Sequence, residues 1–333
     1  MRLLFSTSNY SYLLNTILVE QNKNQGAIPL GGGPNPKSLK EGHLLVKKFP
    51  DGEVYHKFTD SISGNHVIII GGTVSDSETL ELYDMACHSV KMGARSLTLI
   101  IPYFGYSTME RAVENGEIVK AKTRARLLSS IPSTYRTRVL LMDLHSEGTP
   151  HYLEGAIQPV HLYAKKVIMK MCKKITLEKG ADYKNNIDFV LASTDAGRAK
   201  WVESLANEMG VDCAVITKRR LSGTNTSIVG INADVKGKNV VIYDDMIRTG
   251  GSLISAGKAY KEAGASKVFA VATHGILPND SLFKLKDSGV FERVYVTNTH
   301  PNANSLASLD VSGDNFFDVF DISSILYKYL SKH

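Results

Sequence analysis

Residues Val240–Leu253 read VVIYDDMIRTGGSL. The unbroken apolar run Val240–Tyr243 predicts a strand buried on both faces, as parallel strands are. Two adjacent acids, Asp244 and Asp245, stand at its end. A short turn, Ile247–Ser252, then opens a predicted helix over Ser252–Ala263. Backbone N–H groups in a glycine-rich turn at a helix start form an anion cradle. Gly250 and Gly251 allow close approach to that cradle, and Thr249 and Ser252 add hydroxyl donors. The acids could accept hydrogen bonds from neighbouring sugar hydroxyls. A Thr-Gly-Gly turn taken alone fits any strand–turn–helix; with the acids and the apolar strand before it, the segment points to a phosphorylated ribose.

The same rhythm extends outward in both directions. Short apolar runs at Val67–Ile70, Leu97–Ile101, Val139–Met142, Phe189–Ala192, Ala214–Ile216, Val268–Ala272 and Val294–Thr297 read as strands. Amphipathic stretches at Glu78–Met92, Thr123–Ser130 and Arg198–Met209 read as helices, and Gly93, Gly210 and Gly264 follow helices as C-terminal glycines do. Strands alternating with helices predict the α/β class, with mainly parallel sheets flanked by helices. The chain divides into halves of similar rhythm near Glu154–Val160, which predicts two domains, 1–157 and 158–333. Gln21–Pro36, with its GGGPNP, reads as a flexible surface segment. Tyr103–Gly116 is a polar loop after a strand, where α/β sheets build their sites.

Composition narrows the class. The net charge of +6 is mild and scattered, with no basic run of the nucleic-acid type, so no nucleic-acid partner is expected. Cys87, Cys172 and Cys213 are odd in number and far apart, against a disulfide scaffold or a structural zinc. The opening MRLLFSTSNYSYLL lacks the pattern of a signal peptide, and no apolar run approaches the ~20 residues of a membrane span. A cytoplasmic protein with no membrane partner is the expectation.

Val240–Leu253 resembles the fingerprint by which phosphoribosyltransferases and ribose-phosphate pyrophosphokinases (PRPP synthetases) bind PRPP. Other segments resemble the second family in order along nearly the whole chain. These are FPDGE (Phe49–Glu53), PYFGY (Pro102–Tyr106), MDLH (Met142–His145), STDAGRAKWVESLA from Ser193, TKRR (Thr217–Arg220) and THG (Thr273–Gly275). The resemblance implies two domains of the phosphoribosyltransferase type and a homo-oligomer with ATP sites shared between subunits. It implies transfer of the diphosphate of Mg-ATP to the C1 hydroxyl of ribose 5-phosphate, giving PRPP and AMP. ATP and a 5-phosphorylated ribose would then be the small-molecule partners.

The resemblance also implies roles. Lys218 and Arg220 would stabilise charge on the moving diphosphate; the TKRR segment alone could be a solvated basic run. His145 and Asp195 would bind magnesium (Mg2+), directly or through water. His145 could instead be structural, and Asp195 could simply cap the helix that follows. Phe49, Asp51, Gly52 and Glu53 would contact the nucleotide, across a subunit interface. Asp244, Asp245, Arg248, Thr249, Gly250, Gly251 and Ser252 would hold the ribose phosphate. Trp201 reads as core.

Departures from the commonest pattern are specific. Thr108 and Met109 stand where an Arg-Gln pair is usual, and Arg111 could take over the phosphate contact. Arg248 stands where the ribose-phosphate loop usually begins with Asp. The run STMERAVENGEIVKAKTRARLLSSIP resembles instead a divergent branch, like the second class of plant PRPP synthetases. Arg248 leaves open a larger acceptor such as ADP-ribose, whose second phosphate its planar fork suits. A non-catalytic regulatory subunit is a further alternative.

Overall fold

The structure, a computed structural model, describes residues 1–25, 38–177, 189–222, 225–308 and 315–333. For 25, 176–177, 218–222 and 225–229 the description is of backbone alone. The chain forms two compact units, Met1–Tyr163 with Ile322–His333, and Ala164–Asp321.

The first unit runs β1 (Arg2–Ser6), α1 (Ser11–Gln25), β2 (Leu39–Glu41), β3 (Leu44–Lys48), β4 (Val54–Phe58), β5 (His66–Ile70), α2 (Asp76–Lys91), β6 (Ser96–Ile101), α3 (Lys120–Ser129), β7 (Thr137–Met142) and β8 (Ile157–Leu162). Six of the strands form a sheet ordered β2-β1-β5-β6-β7-β8, and every pairing is parallel. Leu3, Val67, Leu97 and Val139 occupy one face of adjacent strands and cluster with Leu82 and Met85 of α2 and Ala125 and Leu128 of α3. β3 and β4 form a separate antiparallel hairpin.

The second unit runs α4 (Lys165–Leu177), β9 (Phe189–Ser193), α5 (Ala199–Met209), β10 (Asp212–Ala214), β11 (Ile216–Ser222), β12 (Asn225–Ile231), β13 (Asn239–Ile247), α6 (Gly251–Glu262), β14 (Lys267–Gly275), α7 (Ser281–Asp287), β15 (Arg293–Thr297), α8 (Pro301–Ser308) and β16 (Phe317–Phe320). Its sheet is ordered β10-β9-β13-β14-β15-β16 and is again wholly parallel. β11 and β12 form an antiparallel hairpin at the same point in the order as β3 and β4. The two units thus repeat one topology. The chain ends in α9 (Ser323–Lys332), which packs against α1 in the first unit.

The α/β class with two helix-flanked parallel sheets is as the apolar runs predict. Four details differ. The compact units meet at Tyr163/Ala164 rather than at 157/158, and Ile322–His333 joins the first unit instead of the second. Gln21–Gln25 is not loop but the end of α1. The side-chain amide of buried Gln21 explains this, donating to the Leu39 carbonyl and accepting from the Leu39 N–H, at 3.0 and 2.7 Å. The rest of the Gln21–Pro36 segment, from 26 onward, lies outside the described residues. The run Ala214–Ile216 is divided: Ala214 ends β10, and Ile216 opens the β11–β12 hairpin. All three cysteines are free thiols, and burial pushes that of Cys172 up to about 12. No helix among the described residues is long and apolar enough to cross a membrane.

Candidate active site

β13 runs past the two acids to Ile247, further than its apolar run, because Met246 and Ile247 still pair with His274 and Gly275 of β14. The turn is therefore only Arg248–Gly250, and α6 starts at Gly251. Gly250 has φ +80°, and a Cβ there would lie 2.8 Å from Leu285 Cδ2, so the position requires glycine on both counts. A Cβ on Gly251 would meet nothing closer than 3.9 Å, which leaves open space over the helix start. The Ile254 N–H reaches the Gly250 carbonyl, while no side chain caps α6. The N–H groups of Gly251, Ser252 and Leu253 precede the first helical bond, where a helix start has donors without intrahelical acceptors. Arg248, Thr249 and Ser252 flank it with exposed side chains.

The two acids are held differently. Asp245 is buried, and its Oδ2 lies 2.6 Å from Arg198 Nη2. Asp244 is partly buried; it accepts from Thr194 Oγ1 at 3.2 Å and from the Asp245 N–H at 2.9 Å. Burial, and then the neighbouring Asp245 charge, push the Asp244 carboxyl up to about 7. An unfolded aspartate titrates near pH 4 (about 3.9). The folded site thus keeps a proton that the unfolded chain has lost. Stability is full below about pH 4 and declines as pH rises to about 7, where the folded group ionises too. Asp244→Asn is expected to remove this decline. Thermal melts at about pH 5 and about pH 8 test it; equal pH dependence in both proteins would place the proton elsewhere.

Asp195 does act as a cap: its Oδ1 accepts from the Gly197 N–H at 2.8 Å and starts the short helical turn Ala196–Arg198. That turn carries Arg198 to Asp245, so Asp195 and the acids of β13 belong to one constellation. β11 contacts the same turn. Lys218 and Arg220 lie on β11, but their side chains are outside the described residues.

In the first unit the sequence-predicted residues sit on three separate loops. Phe49–Glu53 forms the tip of the β3–β4 hairpin, closed by Phe49 N–H to the Glu53 carbonyl at 2.8 Å. All of its side chains are exposed. Arg111 lies in the loop after β6, exposed and 3.7 Å from Glu110. Exposed His145 follows β7 just after Asp143, whose φ is +35°. Another cluster organises the β6 loop. Tyr106 Oη donates to Asp76 Oδ1 at 2.6 Å, Arg124 pairs with the same oxygen, and Lys120 Nζ lies 4.8 Å from the Tyr106 ring centroid. Gly105 N–H donates to Thr73 Oγ1, and a Cβ on Gly105 would lie 1.9 Å from the Thr73 carbonyl oxygen. His145 and Asp195 fall in different units, and no group of three or more metal-type side chains occurs among the described residues.

A family model for the N-terminal domain of ribose phosphate pyrophosphokinase matches residues 4–131, and one for the phosphoribosyl synthetase-associated domain matches residues 224–327. A ribose-phosphate pyrophosphokinase of Chlorobaculum tepidum is 32% identical over 296 residues, 86% of this chain and 87% of its own. The chain belongs to the ribose-phosphate pyrophosphokinase family. A member from Prochlorococcus marinus is 34% identical over 285 residues, 82% of each chain. In fold the chain is similar to a phosphoribosylpyrophosphate synthetase of Mycobacterium smegmatis (TM-score 0.77, 23% identity, covering 99% of this chain and 97% of that one).

Within this ribose-phosphate pyrophosphokinase chain the sequence had not singled out Arg198 or Thr194 as site residues. Both lie inside the STDAGR segment, and the partners that reveal them are about 50 positions away in β13. Trp201 is less a core residue than a wall: it is half-buried and stacks on Tyr243, with centroids 3.9 Å apart and planes at 14°.

Proposed function

We propose that the chain transfers the diphosphate of ATP to the C1 hydroxyl of ribose 5-phosphate, giving PRPP and AMP. The observation that carries this reading is the uncapped, open start of α6 at Gly251, directly after Asp244 and Asp245 in a chain of this family. The N–H groups of Gly251–Leu253 and the Thr249 and Ser252 hydroxyls take the 5-phosphate. Asp244, which accepts from the Thr194 hydroxyl and the Asp245 N–H, accepts from the ribose hydroxyls once ionised. Asp245, held by Arg198, fixes the strand end. The C1 hydroxyl oxygen attacks the β-phosphorus of ATP and gives up its proton to water; a new P–O bond forms there, and the bond to the oxygen bridging the α- and β-phosphorus breaks, that oxygen leaving on AMP. Phosphoryl transfer leaves a protein mainly positioning and charge stabilisation, the part we give to Lys218 and Arg220.

Magnesium fits the donors present. Asp195 carries a carboxylate oxygen besides the one that caps Gly197, and His145 is exposed at a strand end. Mg2+ keeps several waters and takes phosphate oxygens, so a sparse set of protein ligands is suitable. When bound it would offset the charge of the triphosphate. Phe49, Asp51, Gly52, Glu53 and Arg111 we assign to the nucleotide, with self-association bringing the Phe49–Glu53 tip to a neighbouring subunit's ATP. A cytoplasmic location belongs to the same reading.

The relatives are named for ribose phosphate, which favours that acceptor over ADP-ribose and favours an enzyme over a regulatory subunit. AMP release from Mg-ATP with ribose 5-phosphate or ADP-ribose tests this directly. Turnover is expected with ribose 5-phosphate, abolished by EDTA and restored by magnesium. Turnover with ADP-ribose alone, or none with either, would sink the proposal.

A further inference from the structure

The segment THG (Thr273–Gly275) ends β14 beside the ribose-phosphate turn, and each of its residues is engaged in packing. The Thr273 carbonyl accepts from Thr297 Oγ1 at 2.6 Å, and Nδ1 of buried His274 lies 2.8 Å from Thr299 Oγ1. A Cβ on Gly275 would lie 2.7 Å from Val296 Cγ2 and 3.1 Å from Ala303 Cβ, so a side chain there would push β15 and α8 away. Beyond Gly275 the chain turns sharply. Leu277 and Asn279 have φ of +41° and +53°, and Leu277 is fully buried in the core of the second unit. A bulky side chain is rare in the left-handed region and stays there only where its surroundings hold it.

This turn reaches the candidate active site through its backbone. The N–H groups of Ile276 and Leu277 both donate to the Ile247 carbonyl, at 3.0 and 3.1 Å. Ile247 is the last residue of β13 before the Arg248–Gly250 turn. Further on, Leu285 of α7 lies against Gly250. One segment, Ile276–Leu285, therefore backs the ribose-phosphate turn at both of its ends.

Asn302, in the first turn of α8, holds that segment. Its Nδ2 donates to the carbonyls of Ile276 and Leu277 at 2.7 and 2.6 Å, so both amide protons are used. The Ile276 carbonyl and the Leu277 N–H belong to one planar peptide unit. Asn302 and the Ile247 carbonyl thus grip that unit from opposite edges. Pairing two carbonyls would stabilise any loop; the link to Ile247 gives this pairing a consequence at the site.

We infer that Asn302 is a positioning residue for the acceptor: by clamping the Ile276–Leu277 peptide against Ile247 it fixes the turn that opens the 5-phosphate cradle. The inference rests on the reading of the α6 start as that cradle. A turn already in place binds its ligand without the cost of being ordered first.

Asn302→Asp tests this, since it keeps the shape of the side chain and replaces a double donor by an acceptor facing two carbonyls. An acid in the first turn of α8 suits the helix dipole, so the helix itself is not weakened. AMP release is measured against both substrates. The KM for ribose 5-phosphate is expected to rise roughly tenfold or more, as for a site that must be ordered on binding. The kcat at saturation and the KM for ATP should change far less. Hydrogen exchange of the substrate-free chain should quicken at Ile276–Leu277 and across Arg248–Ile254, and not in the first unit. Equal KM for ribose 5-phosphate in variant and wild type would overturn the inference alone, as would a parallel loss in kcat and both KM values, the mark of a merely structural role. Wild type that releases no AMP with ribose 5-phosphate would instead defeat the functional reading, and the inference with it. Should the acid prevent folding, Asn302→Ala, which leaves the carbonyls unpaired without adding charge, is judged by the same measurements.

Discussion

Lys218→Ala is expected to lower kcat by roughly 10²–10³-fold, the loss typical of one preorganised electrostatic group. The KM for ATP should change far less, because the contact is made to charge that develops as the diphosphate moves. The backbone supports placing this lysine near the reaction. β11 contacts the Ala196–Arg198 turn, whose Arg198 holds Asp245 of β13. Arg220→Ala should give a loss of the same kind. Lys218→Arg separates simple charge from geometry, since the planar guanidinium cannot reproduce a point charge on a flexible stem. Near-normal kcat in Lys218→Ala would remove this residue from the mechanism.

Arg198→Ala is expected to cost about 3–5 kcal/mol of stability, the usual penalty for leaving a buried carboxylate without its partner. The Asp245 side chain is 4% exposed and that of Arg198 18%, so little solvent screens the pair. For a unit of this size the cost corresponds to a melting point lower by roughly 6–20 °C. Ribose 5-phosphate binding should weaken as well, since Asp245 and Asp244 are adjacent on β13. Arg198→Ala combined with Asp245→Asn should recover part of the lost stability, because the second change removes the stranded charge. A single variant that melts with the wild type would show that the pair is not ionic.

Much of this architecture can be read from residue order. Val67–Ile70, Val139–Met142 and Phe189–Ala192 are apolar at every position, and only a strand covered on both faces gives that pattern. Gly93, Gly210 and Gly264 mark helix ends and do adopt positive φ, at 84°, 68° and 94°. The cradle is legible for the same local reason, since the left-handed turn at Gly250 requires glycine. What escapes the sequence is whatever depends on distant partners. Arg198 is one charge among many until Asp245 is seen beside it. Gln21 looks like loop until Leu39 takes both ends of its amide. The duplicated topology shows in the sequence only as two halves of similar rhythm, because each copy needs apolar strands and not particular residues.

The return of α9 to the first unit bears on the order in which the protein can be finished during synthesis. Leu326 and Leu330 are buried on this helix, and α1 is among the elements they belong with. A ribosome that has released everything through Tyr163 has therefore delivered a sheet and its early helices but not the element that completes their packing. The first unit must wait, with part of α1 uncovered, while about 160 further residues emerge. Its completion follows synthesis of the second unit, whereas Ala164–Asp321 has all its elements in one unbroken span. The closing helix thus ties the maturity of the first unit to the chain having been read beyond Asp321.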